Sequence, residues 1–296
     1  MIAVNYGNWL YFTLIALMAG LMVLLLWLSK KKGPKWTDRF VFFMLWTNFA
    51  LHFLKQLNPY YMAEFPFSLT RSSPENLCAV LVIAAPFIYC FGGAYSKDYL
   101  YCIGFLSGWL VFFTPTTAIG RDLSNAENLI EVIRFYSCHA PLILGGLLMV
   151  ASGKHKLDYR RLWAVPVAFV IVEGIIVINA VFMQLVNIPG WATSWERLIS
   201  RDYFVNQSMS FGPGKGMDAA LSPWFYYIYM ALTLTCFPIG GGEWFFLPAV
   251  WIGPMIAFGT AILGIPLCYY WEHRHIRMDF LALKQKITMK RNARKG

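Results

Sequence analysis

Eight apolar runs, separated by short polar or glycine- and proline-bearing breaks, organise this chain. They are Trp9 to Leu28, Phe40 to Leu57, Leu77 to Phe91, Leu100 to Ala118, a run opening at Ile130, Leu162 to Val186, Trp224 to Pro238, and Trp244 to Tyr270. A helix of about 20 apolar residues spans a hydrocarbon core of about 30 Å, with its backbone hydrogen bonds satisfied internally. The pattern predicts an all-α, polytopic transmembrane helical bundle with seven or eight membrane segments. Residues 1–273 read as one transmembrane domain with a long external loop at about 187–222, and residues 274–296 as a basic C-terminal tail.

The stretch from Ile130 to Arg161 is the one the others are arranged around. It closes on Lys154, Lys156, Arg160 and Arg161, and it carries one imidazole, His139, inside the apolar run. Other polar groups at membrane depth are His52 and Asn48 in the second run, and Glu173 and Asn179 in the sixth. Lys55, near the far end of the second run, is expected to snorkel to the headgroups. An ionisable group at that depth is expensive unless it meets a partner or a cavity, which makes His139 the first functional candidate.

Charge narrows the partners. The composition is 58 % hydrophobic and 14 % charged, against roughly 25 % charged for a soluble domain. The net charge of +10 is concentrated at run ends: five Lys and Arg between Lys30 and Arg39, four between Lys154 and Arg161, and eight from Arg274 to Lys295. Such clusters mark cytoplasmic ends and attract anionic headgroups. They predict membrane lipids as partners, no nucleic acid, and a multi-pass protein of the cell membrane, with the long external loop available to a protein partner. The first run follows no Lys or Arg and so reads as a retained helix with its N-terminus outside. Eight crossings from there would leave the basic tail outside, whereas seven would place it inside. Either one segment is re-entrant or Trp224 to Tyr270 holds a single crossing.

Motifs exclude more than they identify. No HExxH, GxSxG or EF-hand pattern occurs, and the glycine-rich piece Phe211 to Gly216 lacks the residue order of a phosphate-binding loop. No cofactor is implied. Glu272, His273, His275 and Asp279 are metal-ligand types, but His273 and His275 diverge by about 200° on a helix. With basic neighbours they read as interfacial anchors, and no metal site is assigned. The six cysteines include no CxxC pair and read mostly as small buried hydrophobes. Cys78 differs because it opens the third run near its external end. A helical rise of about 1.5 Å per residue brings it toward the depth of His139. A histidine beside a thiol supports covalent acyl transfer. Cys138 ranks below Cys78 because neighbours on a helix point about 100° apart. Asn76, two residues before Cys78, can orient or stabilise an oxyanion.

Three segments carry a likeness: Pro74-Glu75-Asn76-Leu77-Cys78, Arg134-Phe135-Tyr136-Ser137-Cys138-His139-Ala140, and the turn from Leu157 to Trp163. Together they resemble the YwaF-like family of multispanning membrane proteins, which includes transmembrane protein 164. The resemblance runs from about Phe40 to Phe237. It implies a membrane acyltransferase that remodels ether phospholipids through a cysteine and a histidine, as described for eukaryotic members. Where the family reads Pro-Leu-His-Leu-Cys, this chain has Asn76 for the histidine and Cys78 for the following cysteine. Glu75 holds the position of the eukaryotic catalytic cysteine, and His139 matches the second family histidine.

Three function classes fit these readings. The leading one is a lipid-active enzyme, a phospholipid acyltransferase or acyl hydrolase, using His139, Cys78 and Asn76. The second is a transporter or flippase with His52, Glu173 and Asn179 along a pathway. The third is a non-catalytic subunit of a membrane complex.

Overall fold

The computed structural model describes residues 2–115, 118–191, 194–199, 201, 208–214 and 223–293. Helix α1 spans Trp9–Lys32 and α2 spans Pro34–Leu54, with Gly33 and Pro34 dividing them. Short helix α3, Pro59–Ala63, lies in the connection that leads to α4, Leu77–Phe91. Helices α5, Ala94–Phe113, α6, Ala126–Ala151, and α7, Ala164–Leu185, complete the bundle that holds most of the core. Four helices are long and apolar enough to cross a membrane by length and composition: α1, α6, α7 and the C-terminal segment Gly253–Met289. The all-α membrane bundle expected from the apolar runs is therefore the architecture observed.

Helix α6 is the centre. Of its candidate span 72 % is buried, against 17 % for α1 and 28 % for α7. It reaches that burial because α5 lies almost against its backbone. A Cβ placed on Gly146 would lie 2.8 Å from Tyr101 Cα, and one on Gly104 would lie 2.9 Å from the Leu142 carbonyl oxygen. Small residues permit this approach where lipid gives no hydrophobic drive for helices to associate. Leu142, Ile143, Leu148 and Met149 then fill the space around the seam with no exposure.

Ion pairs close one end of the bundle. Asp98, in the first turns of α5 and wholly buried, accepts from His155 Nε2 at 2.7 Å and from Arg161 Nε at 2.6 Å. Lys154 pairs with Asp38 of α2, which also accepts from Tyr89 at 2.8 Å. The basic turn after α6 thus ties α2, α4 and α5 together instead of lying free on the surface. At the opposite end, the segment before α1 joins the segment after α5 through an isolated bridge, where Gly120 N donates to Val4 O at 2.9 Å.

The last third departs from the apolar-run reading. Beyond the short helix α8, Trp195–Ile199, the run Trp224 to Pro238 forms α9, Pro223–Thr233, and then turns into a hairpin of β1, Cys236–Gly240, and β2, Glu243–Phe246. Eleven helical residues reach about 16 Å and cannot cross. Gly240 to Gly242, all at positive φ, form the hairpin turn rather than a break between two spans. The chain then continues through α10, Gly253–Gly259, a π-helical turn and α11, Ile265–Ala293, which kinks at Glu272. The basic part of α11 returns to the paired end: Asp279 meets Arg160 at 2.5 Å and Tyr159 at 3.0 Å. This places the basic C-terminal segment beside Lys154 to Arg161. Residues 294–296 of the tail lie outside the described residues, as do Asp202, Lys215 and Gly216 of the long connection.

Replacing Gly146 with alanine is expected to destabilise the bundle by about 1–3 kcal/mol, because Tyr101 backbone cannot retreat from the added methyl. Gly20→Ala, where a Cβ meets nothing within 4 Å, serves as the matched control. Thermal unfolding in detergent should show a lower midpoint for G146A alone.

Candidate functional site

His139 sits on the buried side of α6, 8 % exposed. Its Nδ1 lies 2.6 Å from the carbonyl oxygen of Phe135, one turn earlier. A carbonyl only accepts, so Nδ1 carries the proton and donates, and Nε2 is the acceptor of the neutral ring. The Phe135 ring packs against the imidazole with centroids 4.7 Å apart and fixes its plane. The backbone of α6 itself therefore sets the tautomer a general base needs.

Two thiols lie near this ring. Cys138 Sγ lies 3.3 Å from Nδ1, although helical geometry ranked it below Cys78, and it donates to Phe135 O at 3.2 Å. It therefore sits on the edge of the ring already committed to the carbonyl. Cys78, in the first turn of α4, lies near enough to the same imidazole to act on it electrostatically. The structure thus brings together two of the three residues singled out from sequence.

The third, Asn76, is the N-cap of α4, its side-chain oxygen accepting from Ala79 N at 2.9 Å. Ser208 Oγ accepts from Leu77 N at 2.7 Å and secures the same turn from the long connection. The positive end of the α4 peptide dipoles consequently faces Cys78, an arrangement that favours an anion there.

Nearer the N-terminal end of α6 lies a polar cluster that the apolar runs did not reveal. Arg134 donates to Glu131 Oε2 from Nε at 3.0 Å and from Nη2 at 2.8 Å, and Tyr61 donates to the same oxygen at 3.3 Å. Lys55, expected to snorkel outward, instead turns in, donating to Arg71 O at 2.5 Å with Nζ 5.8 Å from the Tyr61 ring centroid. Arg134 stacks on that same ring at 5.5 Å. Glu75 is 9 % exposed; its Oε1 lies 3.7 Å from Arg71 Nη1, and its Oε2 has no hydrogen-bond partner among the described residues. Burial pushes the Glu75 carboxyl above its ordinary value, outweighing the pull of Arg71 and Lys55. The signals were present as Arg71 and Glu75 four apart, and Glu131 and Arg134 three apart on one helical face.

The remaining intramembrane polar groups bind connecting segments or the backbone of a neighbouring helix. His52 Nε2 is 3.3 Å from Ser72 O, and Asn179 donates to Ser73 Oγ at 2.9 Å. Asn48 donates to Cys138 O at 3.0 Å. Glu173, with no exposure, accepts from Ser210 Oγ at 2.5 Å, so the long connection enters the bundle instead of remaining wholly outside it. These are staples, from helix to loop or, for Asn48, from helix to helix. A groove of about 550 Å³ between α2 and α6 is lined by Trp36, Arg39, Phe43, Asn48, Ser137 and Pro141. Ser137 is about 200° around the helix from His139, so this groove opens away from the imidazole. Among the described residues no three metal-ligating side chains converge, and Asp279 is engaged by Arg160, Tyr159 and His275.

The Glu75 shift gives a pH test. A carboxyl raised in the folded state binds more protons there than when unfolded, so its contribution to stability is lost as pH rises above the ordinary glutamate value of 4.5. The unfolding midpoint of the wild type minus that of Glu75→Gln should therefore fall between pH 4 and neutrality. A constant difference across that range would contradict the assignment.

No curated protein and no solved structure matches the chain. A family model described as the TMEM164 family matches residues 4–240, which takes in α1 to α9 and β1, and with them His139, Cys78 and the cluster around Glu75. With well over half of its length inside that match, the chain belongs to the TMEM164 family.

Proposed function

We propose that this protein is a lipid-active membrane enzyme that transfers or hydrolyses a fatty acyl group at His139 and Cys78. The observation that carries the reading is the His139 ring. Its Nδ1 is fixed on Phe135 O, and its other nitrogen remains an acceptor, with a thiol from a second helix as neighbour. In the proposed reaction Nε2 takes the Cys78 thiol proton, and the thiolate attacks the ester carbonyl carbon of a phospholipid. A C–S bond forms, the C–O bond to the glycerol oxygen breaks, and the imidazolium returns its proton to that oxygen. A lysolipid hydroxyl or water then takes the acyl group by the reverse sequence. The Asn76 side chain, oriented by its capping bond, would contribute a donor to the oxyanion.

The topology that accompanies this reading has seven membrane segments: α1, α2, α4, α5, α6, α7 and the α10–α11 segment. With the basic end cytoplasmic, the N-terminus and the polar cluster face outward and the C-terminal helix ends inside. The short α9 and its hairpin occupy the place where an eighth crossing was a sequence alternative. Transport through His52, Glu173 and Asn179 is less well supported, since each is hydrogen-bonded to a connecting segment.

Purified protein incubated with acyl-labelled phospholipid and a lysolipid acceptor should transfer label. His139→Ala is expected to lower the rate by about 10²–10⁴-fold, the usual contribution of a positioned acid–base group. Cys78→Ser should fall comparably, whereas Cys138→Ser should keep most of the rate. Unchanged turnover in H139A would end the catalytic assignment, and loss in C138S but not C78S would move the nucleophile to Cys138.

A further inference from the structure

We infer that α11 beyond its kink at Glu272 lies in the membrane surface as an in-plane amphipathic helix and binds anionic headgroups. Length gives the first observation. The C-terminal segment runs from Gly253 to Met289, and the part up to Trp271 rises about 28 Å, enough for a hydrocarbon core of about 30 Å. The non-helical backbone at Glu272 therefore falls where the chain leaves the core. His273 to Met289 adds about 25 Å that has no place inside it.

The second observation is the face this part presents. Ile276, Phe280, Leu283 and Ile287 recur four, three and four residues apart and share one side of the helix. Ile276 packs against the core cluster that holds Leu157, and Asp279 is fixed by Arg160 and Tyr159. Past that anchor the same side runs off the bundle: Phe280 is 66 % exposed, Leu283 56 % and Ile287 58 %. Projection into water would leave this row wetted, whereas a helix lying in the interface buries it at the boundary of headgroups and acyl chains.

Charge names the partner. Arg277 and Lys284 border the apolar row on one side and Lys286 on the other, each about 70–90° from its centre. Among the described residues none of the three takes part in an ion pair. From Arg274 to Lys295, eight Lys and Arg stand against one acidic residue, Asp279. A second copy of this chain would set these cations against one another across a helix pair, whereas anionic headgroups neutralise them. The segment lies beyond residue 240, where the family match ends, and its binding is independent of acyl transfer.

The test uses the full chain in vesicles of phosphatidylcholine, alone or mixed with phosphatidylglycerol. A fluorophore is placed at Leu283→Cys, in the apolar row, or at Gln285→Cys, about 200° around the helix. The unsubstituted protein, carried through the same labelling, supplies the background from its six free cysteines. Lipids bearing a quencher near the headgroup should quench the label at 283 several-fold more than the label at 285, and more strongly when phosphatidylglycerol is present. Adding Lys284→Gln to L283C should lower the ratio of inserted to free helix about fivefold, at about 1 kcal/mol per cation near an anionic surface. Equal quenching at the two positions, or quenching at 283 that is indifferent to phosphatidylglycerol, would overturn the inference. Energy transfer between 283 labels on two chains, without quenching by lipid, would also overturn it and assign the row to a second copy.

Discussion

The close approach of α5 to α6 is the constraint on which the remaining structure depends. With Gly104 and Gly146 at the seam, the two backbones meet almost directly, and α6 becomes a buried axis rather than one more lipid-facing helix. A buried axis is costly for polar side chains, so each one on it must be answered by a neighbour. Glu131 is answered by Arg134, Tyr61 and Asn58; His139 by Phe135 O and the Cys138 thiol. The site follows from packing first and chemistry second.

The two ends of this axis are built differently. At the basic end, Asp98, Asp38 and Asp279 draw in His155, Arg161, Lys154 and Arg160, and each tie connects a different helix to the turn after α6. At the other end Arg134 and Tyr61 meet Glu131, Lys55 turns in to the Arg71 carbonyl, and one buried Glu75 oxygen has no hydrogen-bond partner among the described residues. One end is closed by complementary charge and holds the fold. The other lies one to two helical turns from the imidazole.

Much of this was legible in the sequence. Run length and the placement of Lys and Arg gave the bundle, and one imidazole inside the most central run gave His139. What failed did so for identifiable reasons. Trp224 to Pro238 is apolar enough for a span, but its helix ends at Thr233, and hydropathy does not register a glycine turn that pairs two strands. Lys55 was expected to reach the headgroups because a long side chain near a helix end can snorkel; the Arg71 carbonyl and the Tyr61 ring offered it an inward partner instead. Cys138 illustrates the limit of helical-wheel reasoning. Adjacent residues diverge at Cβ, yet a thiol and an imidazole are long enough to meet at the edge. The insertion of Ser210 against Glu173 is a tertiary contact with no local signature at all.

On the acyl-transfer reading we propose, Cys78 rather than Cys138 is the reacting thiol, because the ring nitrogen beside Cys138 is already spent on a carbonyl. Mass spectrometry of the protein after exposure to acyl-labelled phospholipid without any acceptor tests that claim most directly. A labelled, hydroxylamine-sensitive thioester on the peptide bearing Cys78, absent when His139 is alanine, is the expected result. Label on Cys138 instead, or lipid turnover with no thioester on either cysteine, would contradict it.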